Sequence, residues 1–196
     1  MKKLFFSSFL ILSIITMTNA QDIGASLGAN FANVGGDDVE STSSKFNFTL
    51  GLFAEFTLSD NMGLQPELIL SGQGFKFNDD NGSGTNVEWK QKLSYVNVPI
   101  LLNYYVADNF YLQGGPYIGF LTSAELNVSG SLGVLGGDNK DDYESTDFGF
   151  AIGAGLKMEK TNIGFRYQLG MADIQADNSV KNRVFNITFG YRFVQE

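Results

Sequence analysis

Phe46 to Leu58 reads F-N-F-T-L-G-L-F-A-E-F-T-L. In an extended chain Phe46, Phe48, Leu50, Leu52, Ala54, Phe56 and Leu58 fall on one side. Asn47, Thr49, Gly51, Phe53, Glu55 and Thr57 fall on the other. Side chains of a β-strand point to opposite faces with period two, so this segment is a strand with one apolar and one mostly polar face. What each face meets decides the fold. An apolar face turned to lipid belongs to a membrane barrel; turned inward, it belongs to a soluble barrel or sandwich.

The same alternation recurs on both sides of this segment and gives eight predicted strands. They span Ile23–Ala32, Phe46–Leu58, Met62–Phe77, Val87–Tyr105, Phe110–Leu121, Phe148–Met158, Ile163–Met171 and Phe185–Phe193. Tight turns join strands two and three (Ser59-Asp60-Asn61), four and five (Ala107-Asp108-Asn109) and six and seven (Glu159-Lys160-Thr161). The other connections, Asn33–Lys45, Asn78–Asn86, Thr122–Asp147 and Ala172–Asn182, are longer and polar. Long loops at one end and short turns at the other are the asymmetry of an outer-membrane barrel, whose long loops lie outside the cell. Proline interrupts a hydrogen-bond ladder, so Pro66, Pro99 and Pro116 are expected at local bulges or strand ends.

Ahead of the strands, Lys2 and Lys3 precede an apolar run from Leu4 to Met17, and Thr18-Asn19-Ala20 resembles a small-x-small cleavage site. Residues 1–20 therefore read as a secretory signal peptide cleaved after Ala20, and 21–196 as one outer-membrane β-barrel domain. Beyond that run no apolar stretch is long enough for a transmembrane helix, which leaves barrel strands of about ten residues each as the way to span a bilayer.

The residue types assign the faces. Phe, Tyr, Leu and Ile crowd one side, while Gly, Ala, Ser, Thr, Asn and Gln line the other. The interior of an eight-stranded barrel is barely wide enough for its own side chains, so the small and polar residues belong inside. The predicted fold is an all-β, eight-stranded antiparallel up-and-down transmembrane β-barrel with four long extracellular loops and three short periplasmic turns. Aromatics near strand ends (Phe46, Phe75, Trp89, Tyr105, Phe110, Tyr111, Tyr191 and Phe193) are expected to form girdles at the membrane interfaces. Inward-facing charges need partners. Glu55 and Glu67, with Lys157, Arg166 and Arg192, are the candidate site: a lumen charge network that plugs the interior or gates a small pore.

Three segments carry a family resemblance. Leu64-Gln65-Pro66-Glu67-Leu68, Tyr95 to Leu102 (Y-V-N-V-P-I-L-L) and Gly114-Gly115-Pro116-Tyr117-Ile118-Gly119 resemble the recurrent signatures of the PorT-like outer-membrane β-barrel family of Bacteroidetes. Gly190-Tyr191-Arg192-Phe193 is similar to that family's closing strand, although Val194-Gln195-Glu196 follow it here. The resemblance implies insertion by the outer-membrane assembly machinery and no defined activity, with a few members assisting protein secretion or gliding.

Composition removes several function classes. The chain has neither His nor Cys, so histidine-based acyl-transfer chemistry, disulfides and thiolate metal sites are unavailable. Its net charge of −8, more negative still without Lys2 and Lys3, argues against nucleic-acid binding. The many glycines sit at strand spacing and form no phosphate loop. Asp79–Gly84 and Asp138–Asp142 loosely resemble calcium loops but lack the regular ligand spacing, so solvated surface loops are the expected reading and no metal or cofactor is assigned. A non-enzymatic, monomeric barrel is expected, meeting membrane lipid, lipopolysaccharide or an envelope or secretion protein through its outer loops. The alternatives are a small passive pore gated by the charge network and a soluble lipocalin-like carrier of an apolar ligand.

Overall fold

The computed structural model describes residues 22–36, 39, 42–80, 86–130, 133–175 and 178–195; the expected signal peptide lies outside the described residues. Nine strands follow in chain order: β1 (Asp22–Gly35), β2 (Thr42–Ser59), β3 (Met62–Asp80), β4 (Asn86–Ala107), β5 (Phe110–Gly130), β6 (Gly133–Asp138), β7 (Thr146–Lys157), β8 (Thr161–Gly170) and β9 (Lys181–Gln195). All pairings are antiparallel, and β1 meets β9 from Asp22 opposite Gln195 to Gly35 opposite Lys181. With β4 also paired to β5, eight strands close into a ring in up-and-down order, and β6 stays outside it. Closure leaves no sheet edge, which is the condition for β-structure to cross a bilayer.

Three short turns, at Asp60-Asn61, Asp108-Asn109 and residues 158–160, lie at the end that also holds both strand termini. At the opposite end the strands run beyond their predicted limits. The expected loop Thr122–Asp147 is instead largely ordered: β5 continues to Gly130, and β6 folds back on it from Gly130 opposite Gly133 to Glu125 opposite Asp138. A 3₁₀ turn, Lys140–Asp142, follows, with the Lys140 amide donating to the Asp138 carboxylate at 2.9 Å. The tail after Phe193 continues the closing strand, Val194 pairing with Ile23 and Gln195 with Asp22.

The prolines do not sit at bulges. Pairing skips residues 54–55 opposite 65–66, 67–68 opposite 98–99 and 100–101 opposite 115–116, while the register across each gap is unchanged. The bulges lie elsewhere, at Ser44/Thr49, Thr57/Ser59, Ser94/Tyr95, Tyr105/Ala107 and Ile23/Gly24. The missing proline donors are absorbed by locally opened ladders rather than by inserted residues.

From Phe46 to Phe53 the alternation translates directly into exposure, while beyond it Ala54 on the apolar side is buried and Thr57 on the polar side is exposed. Phe48 is 74 % exposed and Leu50 56 %, whereas Thr49 and Glu55 between and beyond them are buried. The exposed face continues round the ring through Leu27, Leu68, Leu70, Ile100, Leu112, Ile118, Phe150, Ile152 and Phe189. A continuous apolar belt of this extent is stable only against lipid, and it excludes the soluble-carrier alternative. Phe31, Phe46, Phe120, Phe148 and Phe185 mark one rim of the belt, with the Phe31 and Phe46 rings 5.6 Å apart edge to face. Tyr104, Phe110, Tyr191 and Phe193 mark the other.

Four of the expected girdle residues are on the wrong face for that role. Phe75 is buried in an apolar cluster inside the ring, and Trp89 stacks on Phe77 at its mouth, ring centroids 5.5 Å apart. Tyr105 and Tyr111 turn into the lumen, where Glu55 and Asn162 meet their hydroxyls. Each shares the odd parity of its strand's inward residues, so position along the strand was outweighed by the side of the pleat.

Because Leu52 lies midway along the lipid-facing side of β2, Leu52→Arg is expected to destabilise the folded barrel by about 2–4 kcal/mol, against a smaller loss for Leu52→Ala. Urea titration of the refolded protein in lipid vesicles, read by heat-modifiable gel migration, measures the difference.

Candidate functional site

The inward residues of the strands build the lumen in layers. At the turn end, Asp22 on β1 sits between two cations. Lys157 Nζ on β7 is 2.8 Å from Asp22 Oδ2, and Arg192 Nε on β9 is 3.1 Å from the same oxygen. The Arg192 guanidinium also donates to the Met158 and Thr161 carbonyls, tying β9 to the β7–β8 turn. Lys157 reaches Glu55 Oε2 on β2 at 3.5 Å and stands 5.2 Å from the Tyr105 ring centroid. Glu55 Oε1 accepts hydrogen bonds from the Tyr105 hydroxyl and from Asn103 Nδ2 on β4.

Asn103 carries the network inward by donating to Gln65 Oε1 on β3 at 2.8 Å, and Gln65 donates to Glu67 Oε1 at 2.5 Å. Glu67 then accepts a two-pronged contact from Arg166 on β8, Nη1 to Oε2 at 2.7 Å and Nη2 to Oε1 at 2.8 Å. Arg166 Nη2 also donates to Gln113 Oε1 on β5 at 3.1 Å. One connected set of contacts thereby touches all eight ring strands. Parallel N–H···O bonds between guanidinium and carboxylate are the strongest geometry available to such a pair.

All five residues singled out in the sequence belong to this set. Asp22, Gln65, Asn103, Tyr105 and Gln113 were not anticipated in it. Asp22 matters most, because it converts two acids against three bases into three against three. Carrying the alternation of β1 back by one residue from Ile23 places Asp22 on the side of Gly24, Ser26 and Asn30, so the signal was present.

Above the ion layer the lumen is filled by amides and hydroxyls. Asn186 donates to Asn30 at 2.6 Å, and Asn30 to Ser71 at 3.0 Å. Asp147 accepts from Asn182 at 2.9 Å and from the Tyr117 hydroxyl at 3.2 Å. Nearest the loop end an apolar cluster closes over them, formed by Val34, Phe75, Leu93, Tyr95, Leu121 and Ala124 with Ile174 and Val180 from the β8–β9 connection. Tyr143 packs against this cluster, and burial pushes its hydroxyl up to about 12, so it stays neutral at physiological pH.

Among the described residues no three His, Cys, Asp or Glu side chains are grouped to hold a metal ion. The calcium-like segment 79–84 falls outside the residues whose side chains are described. Asp138 in the second segment serves the 3₁₀ turn instead.

Residues 19–176 match the model of a family described as outer membrane protein beta-barrel domain. No curated protein sequence matches the chain. Among solved structures the fold is similar to Ail, the attachment invasion locus protein of Yersinia pestis, in complex with the heparin analogue sucrose octasulfate. That comparison has a TM-score of 0.54 at 17% identity and covers 88% of this chain and 98% of Ail. It is also similar to Neisserial surface protein A, with a TM-score of 0.51 at 9% identity over 87% of this chain and 97% of that one. At these identities the likeness concerns the fold alone.

Glu67 and Arg166 are each about 5% exposed, so removing one partner leaves the other charge buried without compensation. Glu67→Leu is expected to lower stability by about 3–5 kcal/mol, and adding Arg166→Met to recover much of that loss. Urea midpoints of the two variants, measured side by side, test the coupling.

Proposed function

The chain belongs to the outer membrane protein beta-barrel domain family and resides in the outer membrane, and from this premise we propose that it is a non-enzymatic barrel with a sealed lumen that acts through its outward-facing end. The observation carrying this reading is the ion layer, in which Asp22, Glu55, Glu67, Lys157, Arg166 and Arg192 come from six strands and Asn103 and Gln113 join the other two strands of the ring to them. An eight-stranded barrel has little room beyond its own side chains, and here a balanced set of charges occupies it. The apolar cluster at the other end adds a second barrier of different chemistry. The missing histidine removes the usual proton carrier of acyl-transfer chemistry.

The finer assignment, a PorT-like barrel of Bacteroidetes serving the envelope or a secretion apparatus, rests on the proline-centred segments around Pro66, Pro99 and Pro116. Lipopolysaccharide and an envelope protein are the partners that this assignment brings, met at the hairpins that extend past the lipid belt. A pore gated by the charge network is the second reading, favoured by Lys157, which is a quarter exposed and opens the ion layer toward the turn end.

Planar-bilayer recording separates the two. The purified barrel is expected to show no reproducible channel, and Arg166→Ala to leave it closed or to open small, noisy events. Stable unitary conductance in the native protein, altered by Glu67→Ala or Arg166→Ala, overturns the sealed-lumen reading.

A further inference from the structure

Between the apolar cluster and the open end of the ring, two rows of inward side chains form a pocket that a sealed lumen does not need. Across β3, β4 and β5 the outer row is Phe77, Trp89 and Val128. The row beneath it is Phe75, Gln91 and Leu126, and it ends at Gly137 on β6. Cross-strand partners share a face, so each row is a band of neighbouring side chains on the inner wall. The Phe77 and Trp89 rings are nearly parallel, 7° apart in plane, and Phe75 stacks on Phe77 with centroids 6.3 Å apart. The pocket holds about 390 Å³, toward the lower end of the range for ligand sites, which favour the mouths of barrels. Val34, Phe75 and Val180 of the apolar cluster line its base, and Tyr143 and Gln175 line it from the connections.

Gly137 leaves a gap in this wall. A Cβ there meets nothing within 4 Å, although Leu126 stands opposite and Asn139 lies two residues on along the same face. Asn139 bonds across to β4 instead. Its Nδ2 donates to Gln91 Oε1 at 3.1 Å, and its Oδ1 accepts from Gln91 Nε2 at 3.0 Å. Gln91 is buried, and its Nε2 also donates to the Lys92 carbonyl at 3.4 Å. The reciprocal pair fixes both amide planes, yet these contacts leave each carbonyl a lone pair and Asn139 an N–H on the pocket that both residues line. Phe77, Trp89 and Asn139 are half-buried, so this part of the wall is reachable from outside.

None of the residues lining the pocket is charged. Lys76, Lys90 and Lys92 alternate with Phe75, Phe77, Trp89 and Gln91, which puts them on the outer face, where Lys92 pairs with Glu125. From residue 138 to 144 the rim carries Asp138, Asp141, Asp142 and Glu144 against Lys140 alone. Asp138 lies on the opposite face of β6 from Gly137 and Asn139 and holds the 3₁₀ turn. An anion entering the pocket passes these acids and meets no cation in the lining; a cation meets no carboxylate there. The lining suits an uncharged molecule that has both an apolar face and hydroxyls. A pyranose ring is one: its C–H face lies flat on electron-rich aromatic rings, and its hydroxyls both donate and accept.

We propose that this pocket binds an uncharged sugar of one or two pyranose rings. One ring stacks on Trp89 beside Phe77, its hydroxyls meet the amide pair of Gln91 and Asn139, and the gap at Gly137 admits the remainder of the sugar. The site rests on the reading of a barrel that acts through its outward-facing end, and not on the lumen being sealed. A conducting barrel that binds sugar and a sealed barrel that binds none are separate outcomes, told apart by conductance and by titration.

Trp89 is the only tryptophan of the chain, so its emission reports the site directly. The barrel refolded in phospholipid vesicles is titrated with the uncharged disaccharides cellobiose, lactose and maltose. At least one is expected to shift Trp89 emission saturably, with a Kd on the order of 1 mM or tighter. Asn139→Leu, which breaks the amide pair, is expected to weaken that binding about tenfold. Gly137→Leu, which fills the gap, is expected to weaken it several-fold, and Lys92→Gln on the outer face to leave it unchanged. The aldonic acid of the same sugar, which carries a carboxylate, is expected to bind more weakly than the sugar. Heat-modifiable migration checks that each variant is folded. The proposal is overturned if none of the three sugars shifts the emission of the folded protein, or if folded Asn139→Leu and Gly137→Leu bind as tightly as the native barrel. It is likewise overturned if the aldonic acid or choline binds more tightly than the sugar, which makes the pocket a site for a charged ligand.

Discussion

Backbone amides and carbonyls in a bilayer have no water to turn to, and everything in this structure follows from satisfying them within the sheet. The pairing of β1 with β9 closes the ring, and closure fixes the rest. One face of each strand must then be greasy because it meets lipid, and the other must fit a narrow interior. Gly and Ala on the inward face make room for the long side chains of Arg166, Arg192, Glu67 and Gln113. Those long side chains cannot remain unpaired at that depth, so the ion layer is a consequence of closure as much as an addition to it.

The ion layer also explains the balance of the interior. Three carboxylates and three cations from six strands neutralise one another, and uncharged Asn103 and Gln113 bring in the remaining two strands, with Gln65 linking Asn103 to Glu67. Such an arrangement specifies register, because sliding any strand by two residues breaks a contact on both sides. The apolar cluster near the loop end achieves closure by the opposite means, with Ile174 and Val180 folded down onto Leu93 and Tyr95.

Most of the fold was legible in the sequence because period two is a strong, repeated signal and every strand obeys it. The limits of legibility were local. Asp22 escaped because the first strand was started at its first apolar residue. The closeness of Phe75, Trp89, Tyr105 and Tyr111 to strand ends points to interface aromatics, although their parity matches Gln73, Gln91, Asn103 and Gln113. Residues 122–147 read as loop because Gly, Ser and Asp interrupt the alternation, yet β5 and β6 pair there through backbone contacts that composition does not record. The three prolines point to bulges or strand ends, and the ladder instead accommodates them by opening two residue pairs at a time. The pairing of Glu67 with Arg166 lies beyond the reach of a sequence, since 99 residues separate them and only closure brings β3 to face β8.

The central claim is that the apolar face of Phe46–Leu58 meets lipid and its polar face meets the lumen. The absence of cysteine makes it directly measurable, because one introduced thiol labels uniquely. Single cysteines placed in turn at positions 47 to 53, carrying a fluorophore and reconstituted in vesicles of brominated lipid, report contact with acyl chains. Quenching that alternates, strong at 48, 50 and 52 and weak at 47, 49, 51 and 53, is the predicted result. Uniform quenching, or alternation with the opposite phase, contradicts the account.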